Sequence, residues 1–292
     1  MHENHDFPNV YGISIGSSAS YVSVVHADKP VLLGRREYNE HEATTAFALN
    51  TEERLTSAST VILKSKLLWA YRIISTSFPH EQNFQCVISH PDWLPITIVE
   101  EIRQVAKDSG LDPLRLAGNL SMAGYYIEQM DIGVNLWLAM EVCKNDLSLV
   151  TSEIGDGFIE VLFKDHYSDR LFGTESKQDI VELCNLVAIS HFSRKFHDSE
   201  GNPYQYRPED IDYVLICGAL PETELERIKE SISSTVSISS SSILVDPTAC
   251  ALGCAMQGGV LSGLVKDKLL LDVSTQTLCI ELSCHTGIEL EN

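Results

Sequence analysis

One order of secondary-structure elements occurs twice along this chain, and that repetition constrains the fold more than any other feature of its 292 residues. Three short strand-like runs, Val10–Ile15, Tyr21–His26 and Val31–Arg35, are separated by turns at Ser17-Ser18-Ala19 and Asp28-Lys29-Pro30. A 3.6-residue apolar period predicts a helix over Ala58–Thr76, with Val61, Ile62, Leu67, Leu68, Tyr71 and Ile74 on its apolar positions. A strand at Phe84–Ile88, a helix over Pro95–Ser109 stopped by Gly110, a strand at Leu114–Ala117 and a short helix over Ser121–Gln129 complete βββαβαβα. Beyond Met130–Val134 the order starts again. Strands Asn135–Val142, Asp146–Thr151 and Phe158–Phe163 form a meander whose last two members are joined by Gly155-Asp156-Gly157. A helix over Lys177–Phe196 follows, with Ile180, Leu183, Cys184 and Val187 as its stripe, continued less cleanly by His191. Strand Tyr213–Cys217, helix Glu222–Ser234, strand Ile243–Val245 and helix Thr248–Leu261 close the second unit. Tyr167–Gly173 and Asp198–Pro208 read as loops. Ser231–Ser242 reads as a polar loop between helix and strand, with a phosphorylated patch as the alternative.

A repeat at this scale predicts an α/β protein of two lobes, residues 1–130 and 131–263, followed by a segment 264–292. Two such units face to face make the two-lobed actin-like (ribonuclease H-like) architecture, with a nucleotide cleft between the lobes. Composition narrows the partners. Acidic residues number 41 against 21 basic ones, a net charge of −20. A protein that grips the phosphate backbone needs the opposite sign, so direct nucleic-acid or anionic-membrane binding by bulk charge is excluded, while a basic protein partner suits it. No apolar run reaches the roughly 18 residues of a membrane span, and the polar Met1–Asn9 carries no secretory core. Cys86, Cys143, Cys184, Cys217, Cys250, Cys254, Cys279 and Cys284 form no C-x-x-C and sit mostly in apolar runs. They read as reduced core thiols, which predicts cytosol or nucleus.

A phosphate-binding cleft needs tight β-turns that present backbone N–H groups and small hydroxyls. The hairpin Gly12-Ile13-Ser14-Ile15-Gly16-Ser17-Ser18 has that form: Gly16 permits close approach and Ser17 and Ser18 offer hydroxyls, although an ordinary polar hairpin has the same composition. Other constellations read as structural. His2, Glu3, His5 and Asp6 lie in a polar terminus without fixed geometry, so no metal is expected there. Cys250 and Cys254 join Ala249, Ala251, Gly253 and Ala255 in a small-residue face for tight packing, and a zinc site would need two further ligands. His90-Pro91-Asp92-Trp93 is read as a turn rather than an acid–base pair, and Ser121 and Thr248 as helix N-caps. No Ser/His/Asp triad, cysteine nucleophile with its base, or paired-carboxylate site emerges.

At the level of motifs the chain resembles the heat-shock protein 70 family. Gly12–Ser18 is similar to that family's first phosphate loop. Asn119-Leu120-Ser121-Met122-Ala123-Gly124 resembles its Asn-Glu-Pro-Thr-Ala-Ala connecting segment, and Val214-Leu215-Ile216-Cys217-Gly218 its adenosine-motif strand. Asp246–Gly263 resembles the helix that follows. Leu269-Leu270-Leu271-Asp272-Val273, preceded by Val265-Lys266-Asp267-Lys268, looks like the Leu-Leu-Leu-Asp-Val interdomain linker. The resemblance covers the chain in patches, strongest at the C-terminal end.

The departures imply lost chemistry. Where the family's first loop carries an Asp that organises the metal's water shell, this chain has Ser14, which cannot supply that charge to Mg²⁺. Ala139-Met140-Glu141-Val142-Cys143-Lys144 stands where the second phosphate loop reads Asp-Leu-Gly-Gly-Gly-Thr, so side chains replace glycines and Glu141 would repel phosphate. Cys217-Gly218-Ala219-Leu220-Pro221 replaces Gly-Gly-Ser-Thr-Arg. Lys66 matches the family's catalytic lysine, with a solvated helix lysine as the competing reading. Both subdomain insertions are reduced, to about Ser75–Asn83 and Asp198–Asp212, leaving few walls for an adenine. The chain stops at Asn292, too early for a complete peptide groove. The resemblance therefore implies a non-catalytic domain with no resident cofactor and no metal, retaining Gly16, Ser17, Ser18, Lys66 and Gly218 as vestiges of a nucleotide site. Within the family it is most similar to the atypical, non-hydrolysing member of the ribosome-associated complex. That likeness implies a J-domain partner of the zuotin type, indirect contact with the ribosome in the cytoplasm, and partner docking at Leu269, Leu270, Leu271, Asp272 and Val273, where the partner would add a strand. A weak ATP-dependent chaperone and an actin-fold scaffold of another assembly are the alternatives.

Overall fold

The computed structural model describes residues 8–16, 19–38, 54–129, 133, 135–143, 146–168, 181, 184–185, 188, 196–197, 203–205, 207–218, 220 and 222–272. Strands β1 (Tyr11–Ile15), β2 (Ala19–His26), β3 (Lys29–Glu37), β4 (Gln85–His90) and β5 (Asp112–Gly118) form a sheet in the order β3-β2-β1-β4-β5. β1 runs antiparallel to β2 and parallel to β4. The second sheet contains β6 (Asn135–Val142), β7 (Asp146–Gly155), β8 (Phe158–Ser168), β11 (Tyr213–Gly218), β12 (Ile243–Val245) and β13 (Leu269–Leu271), in the order β12-β11-β6-β7-β8-β13. A separate antiparallel pair joins β9 (Phe196–His197) and β10 (Pro203–Tyr204).

Helices α1 (Ser57–Ser77) and α2 (Ile96–Asp108) cover one face of the first sheet. α1 starts at Thr56, whose hydroxyl accepts the Ser59 N–H at 3.1 Å. Leu63, Leu67, Ala70 and Ile74 form its buried stripe. Of the positions expected on that face, Leu67 and Ile74 are buried, Ile62, Leu68 and Tyr71 are half-buried and Val61 is 69% exposed, so the buried face is rotated from the expected one. α2 closes in a Schellman motif, with Leu111 N–H on Ala106 O at 3.1 Å and Gly110 in the left-handed region. Between the two sheets lie α3 (Asn119–Glu128) and α5 (Ala249–Ser262), whose buried residues share one core with Val10, Val25 and Val87 of the first sheet and with Trp137, Val150, Ile154, Ile159 and Val161 of the second. α4 (Glu222–Val236) packs on the outer face of the second sheet through Leu225, Ile228 and Ile232, and Cys184 and Ala188 join the same cluster.

The middle layer is crossed. α3, which follows β5, packs mainly on β6, β7 and β8, whereas α5, late in the chain, packs on β1, β2, β3 and β4. Helices of ordinary side chains could not approach so closely. A Cβ on Gly253 would lie 1.7 Å from Met122 O of α3, and one on Gly12 would lie 2.3 Å from Ala255 N of α5. The small-residue face expected around Cys250 and Cys254 is this contact.

Several boundaries differ from the sequence reading. The β2–β3 turn is Ala27-Asp28, both at positive φ, so Lys29 and Pro30 belong to β3. β8 extends through Tyr167 and Ser168, placed in a loop by composition, because each continues the antiparallel register with β7. Phe196, expected to end a helix, is in β9. The Asp198–Asp212 loop contains β10 and a short 3-10 turn at Pro208–Asp210. α4 runs to Val236, so Ser231, Ser233 and Ser234 are helical.

Candidate functional site

The first hairpin brings β1 and β2 together at Gly16, whose N–H donates to Ala19 O at 3.0 Å. Ser17 and Ser18 lie outside the described residues. Ser14 is buried on β1 between Tyr21 and Ser89. Lys66 projects from α1 to the same place. Its Nζ donates to Gly16 O at 2.7 Å and sits 3.9 Å from the Tyr38 ring centroid. With 1% of its surface exposed it is no solvated helix lysine, which corrects that reading.

The second hairpin is built differently. Glu141, on β6, is buried, and its Oε1 accepts from Asn119 Nδ2 at 2.8 Å. Asn119 opens α3, a helix whose capping also departs from expectation. Ser121 lies inside the helix and the cap position is Gly118, which has no side chain to offer. Asp92 supplies the missing acceptor, its Oδ2 receiving the Leu120 N–H at 2.9 Å. Thr248 likewise makes no side-chain cap for α5; its N–H and hydroxyl both donate to Asp246 Oδ1, at 2.8 and 2.7 Å. A helix N-terminus attracts anions because its N–H groups are free and its dipole is positive there. At α3 a carboxylate of the chain itself, Asp92, occupies that position, and Glu141 lies beside it on the Asn119 side chain.

Lys164 provides the countercharge. Its Nζ lies 3.1 Å from Asp92 Oδ1 and 2.9 Å from Asp272 Oδ1, with the lysine side chain 7% exposed. A β-bulge aims it there. Thr151 pairs with Phe163 but Ser152 with Val161, so Leu162 is an extra residue in β8. That insertion inverts the in–out alternation and puts Lys164 on the α3-facing side beside Val161 and Ile159. Burial alone would lower the lysine's pKa; the two carboxylates outweigh it and raise it, so the group is charged.

Around this centre are two histidines. His90 is buried and held low by desolvation, with Nδ1 2.9 Å from Pro91 O, so the proton sits on Nδ1. His166 stacks on Trp93 with ring centroids 5.1 Å apart, and burial depresses its pKa to about 4 against a weaker opposing pull from Asp92. His90-Pro91-Asp92-Trp93 is thus a turn in which Asp92 caps a helix and pairs with a lysine; His90 and Asp92 are engaged by different groups.

Gly218 ends β11 at φ +127, where a Cβ would lie 2.1 Å from Val142 O. Its lack of a side chain serves the contact between β11 and β6. Cys217 Sγ is 3.9 Å from Cys250 Sγ, and contact with Cys217 together with burial raises the Cys250 thiol well above its ordinary value. Lys144, Ala219, Pro221, His191 and Val273, together with His2, Glu3, His5 and Asp6, lie outside the described residues, as do Cys279 and Cys284. Among the described residues no group of three or more His, Cys, Asp or Glu side chains is placed to hold a metal, and no helix is long and apolar enough to cross a membrane.

At the other end of the site β13 pairs in parallel with β8, Leu269 opposite Phe158 and Leu271 opposite Glu160. Leu270 is buried, whereas Leu269 and Leu271 are 55% and 47% exposed on the sheet's edge. Sequence reasoning brought Asp272 forward but missed Lys164, Glu128 and Lys268. A lysine two residues beyond Leu162 in a period-2 strand reads as solvent-facing unless the bulge is known.

Two mixed sheets with crossed helices between them, and a helix-terminus site at their junction, define an α/β protein consistent with an Hsp70 actin-like ATPase-type fold. Residues 177–291 match the family model described as Hsp70 protein. The chain is 42% identical over 74 residues to the mitochondrial iron-sulfur cluster biogenesis chaperone of Saccharomyces cerevisiae, covering 25% of this chain and 11% of that protein. It is 37% identical over 75 residues to the chaperone protein DnaK of Mycoplasmoides gallisepticum, covering 25% and 12%. With the mitochondrial heat shock 70 kDa protein of Pisum sativum it shares 38% identity over 73 residues, covering 25% and 10%. The matches span about a tenth of the length of these relatives.

Proposed function

We propose that the chain is a non-catalytic Hsp70-family ATPase-type domain that acts as a regulatory or scaffold subunit in a chaperone system. In this reading residues 1–130 and 131–263 are the two lobes of a duplicated βββαβαβα fold with reduced insertions, and 264–292 is the linker with the first strands beyond it. The observation that carries it is the pair of carboxylates at the N-terminus of α3: Glu141 on the Asn119 side chain and Asp92 on the Leu120 N–H. A phosphate entering there meets like charge and an already occupied helix terminus, and Ser14 brings no carboxylate to a magnesium ion. No ATP is therefore expected to be held, and Gly16, Lys66 and Gly218 serve the fold through the contacts described above.

The partner in this reading is a J-domain protein of the zuotin type, docking by strand addition at β13, the edge strand of the second sheet among the described residues, where Leu269 and Leu271 are exposed. The ribosome is contacted indirectly, and the setting is the cytoplasm. The tagged full chain, recovered from cell extract, is expected to bring down a J-domain protein together with ribosomal proteins. Recovery of neither refutes the partner assignment.

One observation favours a second reading, a weak ATP-dependent chaperone: Lys66 reaches the first hairpin and holds Gly16 O at 2.7 Å. Tight magnesium-dependent ATP binding would select that reading.

A further inference from the structure

The segment that carries β13 is held at both ends by charges of opposite sign. Before the strand, Lys268 Nζ pairs with Glu128 of α3, a carboxylate whose side chain is 6% exposed. After it, Asp272 pairs with Lys164 of β8 at 2.9 Å, and Lys164 also contacts Asp92 at the other end of α3. Between these anchors Leu269 N–H donates to Gly157 O at 2.8 Å and Leu270 is buried against the central core. The segment thus lies along the β8 edge of the second sheet while its charges reach both termini of a helix in the middle layer.

We infer that these ion pairs form a clamp that fixes the Lys268–Asp272 segment against the domain using only the chain's own side chains, so that docking needs no bound nucleotide. Two features of the geometry carry this. First, the clamp is polar-matched: exchanging the positions of Lys268 and Asp272 would set like charge against Glu128 and against Lys164, so the arrangement specifies direction and register of the strand. Second, Lys164 is shared. Its charge is balanced by one carboxylate from the β4–α2 turn and one from the docked segment, so undocking leaves the lysine with Asp92 alone and exposes Leu270. Each pair has one buried member, Glu128 or Lys164, so loss of its partner leaves a buried charge uncompensated, and salt screens such a pair less than a fully exposed one. The inference stands on the geometry of these residues and does not depend on which partner binds.

Hydrogen exchange read by mass spectrometry on the full 292-residue chain tests it. Without nucleotide, the peptide covering Leu269–Leu271 is expected to exchange at least 100-fold more slowly than the same peptide free in solution, and magnesium-ATP is expected to leave that rate unchanged. Lys164→Met and Asp272→Asn are each expected to raise it at least tenfold while β11, covering Val214–Ile216, keeps its protection. Lys268→Gln is expected to raise it less, and the reversed pair Lys268→Glu with Glu128→Lys to restore it. If Lys164→Met loosens β11 as well, the fold itself has yielded and Asp272→Asn and the reversed pair decide. Unprotected amides at Leu269–Leu271 in the unmodified chain, or protection unaltered by Asp272→Asn and Lys268→Gln, overturns the clamp. A rate that slows on adding magnesium-ATP overturns its independence of nucleotide, and is read separately from recovery of a J-domain partner.

Discussion

The hairpins that open the two sheets stand at matching places in their strand orders, yet they are built to different ends. In the first, Gly12 and Gly16 keep the backbone bare, and the space is taken by other parts of the protein: α5 against Gly12, Ala19 O and Lys66 Nζ against Gly16. In the second, Glu141, Val142 and Cys143 carry side chains where the Hsp70 likeness leads one to expect glycines, and Glu141 reaches across to α3. Glycines at which a Cβ would strike another segment of backbone, such as Gly12, Gly218 and Gly253, are retained. The difference teaches that a glycine in a phosphate-type loop can serve backbone packing, so its presence is not by itself evidence for phosphate.

That contrast can be broken by substitution. Gly12→Ala is expected to cost about 3 kcal/mol, because the new methyl meets Ala255 N at 2.3 Å and Ala251 O at 2.6 Å and neither belongs to a movable side chain. Cys143→Gly, at a half-buried residue of the second hairpin, is expected to cost less than about 1 kcal/mol. Urea unfolding of both variants measures the difference. Equal costs would remove the claim that the first hairpin's glycine serves packing.

A pH series sharpens the comparison from the side of the second sheet. His166 binds a proton in the folded chain only near pH 4, against 6.5 when unperturbed. Between those values the unfolded chain holds more protons, so stability rises with pH from about 4 to 6.5, is level above, and is fully reduced below 4. A shift of this size corresponds to at most about 3 kcal/mol, and solvent screening at a half-buried ring brings it to about 1–2 kcal/mol. His166→Phe, which preserves stacking on Trp93, is expected to flatten that part of the slope when unfolding free energy is measured across the range. An unchanged slope would assign the dependence to other groups, His90 among them.

Much of this architecture was legible in the residues. Short apolar runs bounded by turn residues placed the described strands within a few positions, and helical periods placed α1, α2 and α4, because the strands are largely buried and those helices bury one apolar stripe. What failed did so for identifiable reasons. The β2–β3 turn slipped by a residue because Pro30 reads as a turn former, whereas Ala27 and Asp28 adopt the positive φ values. Lys66 reads as exposed because it is charged, although Leu63 and Ala70 at its helical spacing are buried; a carbonyl and an aromatic ring compensate its burial. The crossing of α3 and α5 is written in the run of Ala, Gly and Cys from Ala249 to Gly259, but which sheet that run packs on is a tertiary fact. Lys164 was hidden by the Leu162 bulge, and Asp92 looked like a turn residue because its cap lies on a helix 28 positions away.

The central claim is that the junction between the sheets is filled by the protein's own carboxylates and lysine. Isothermal titration calorimetry of the unmodified chain with magnesium-ATP tests it most directly. The account predicts no saturable heat at millimolar nucleotide. A stoichiometric, magnesium-dependent isotherm in the micromolar range would contradict it.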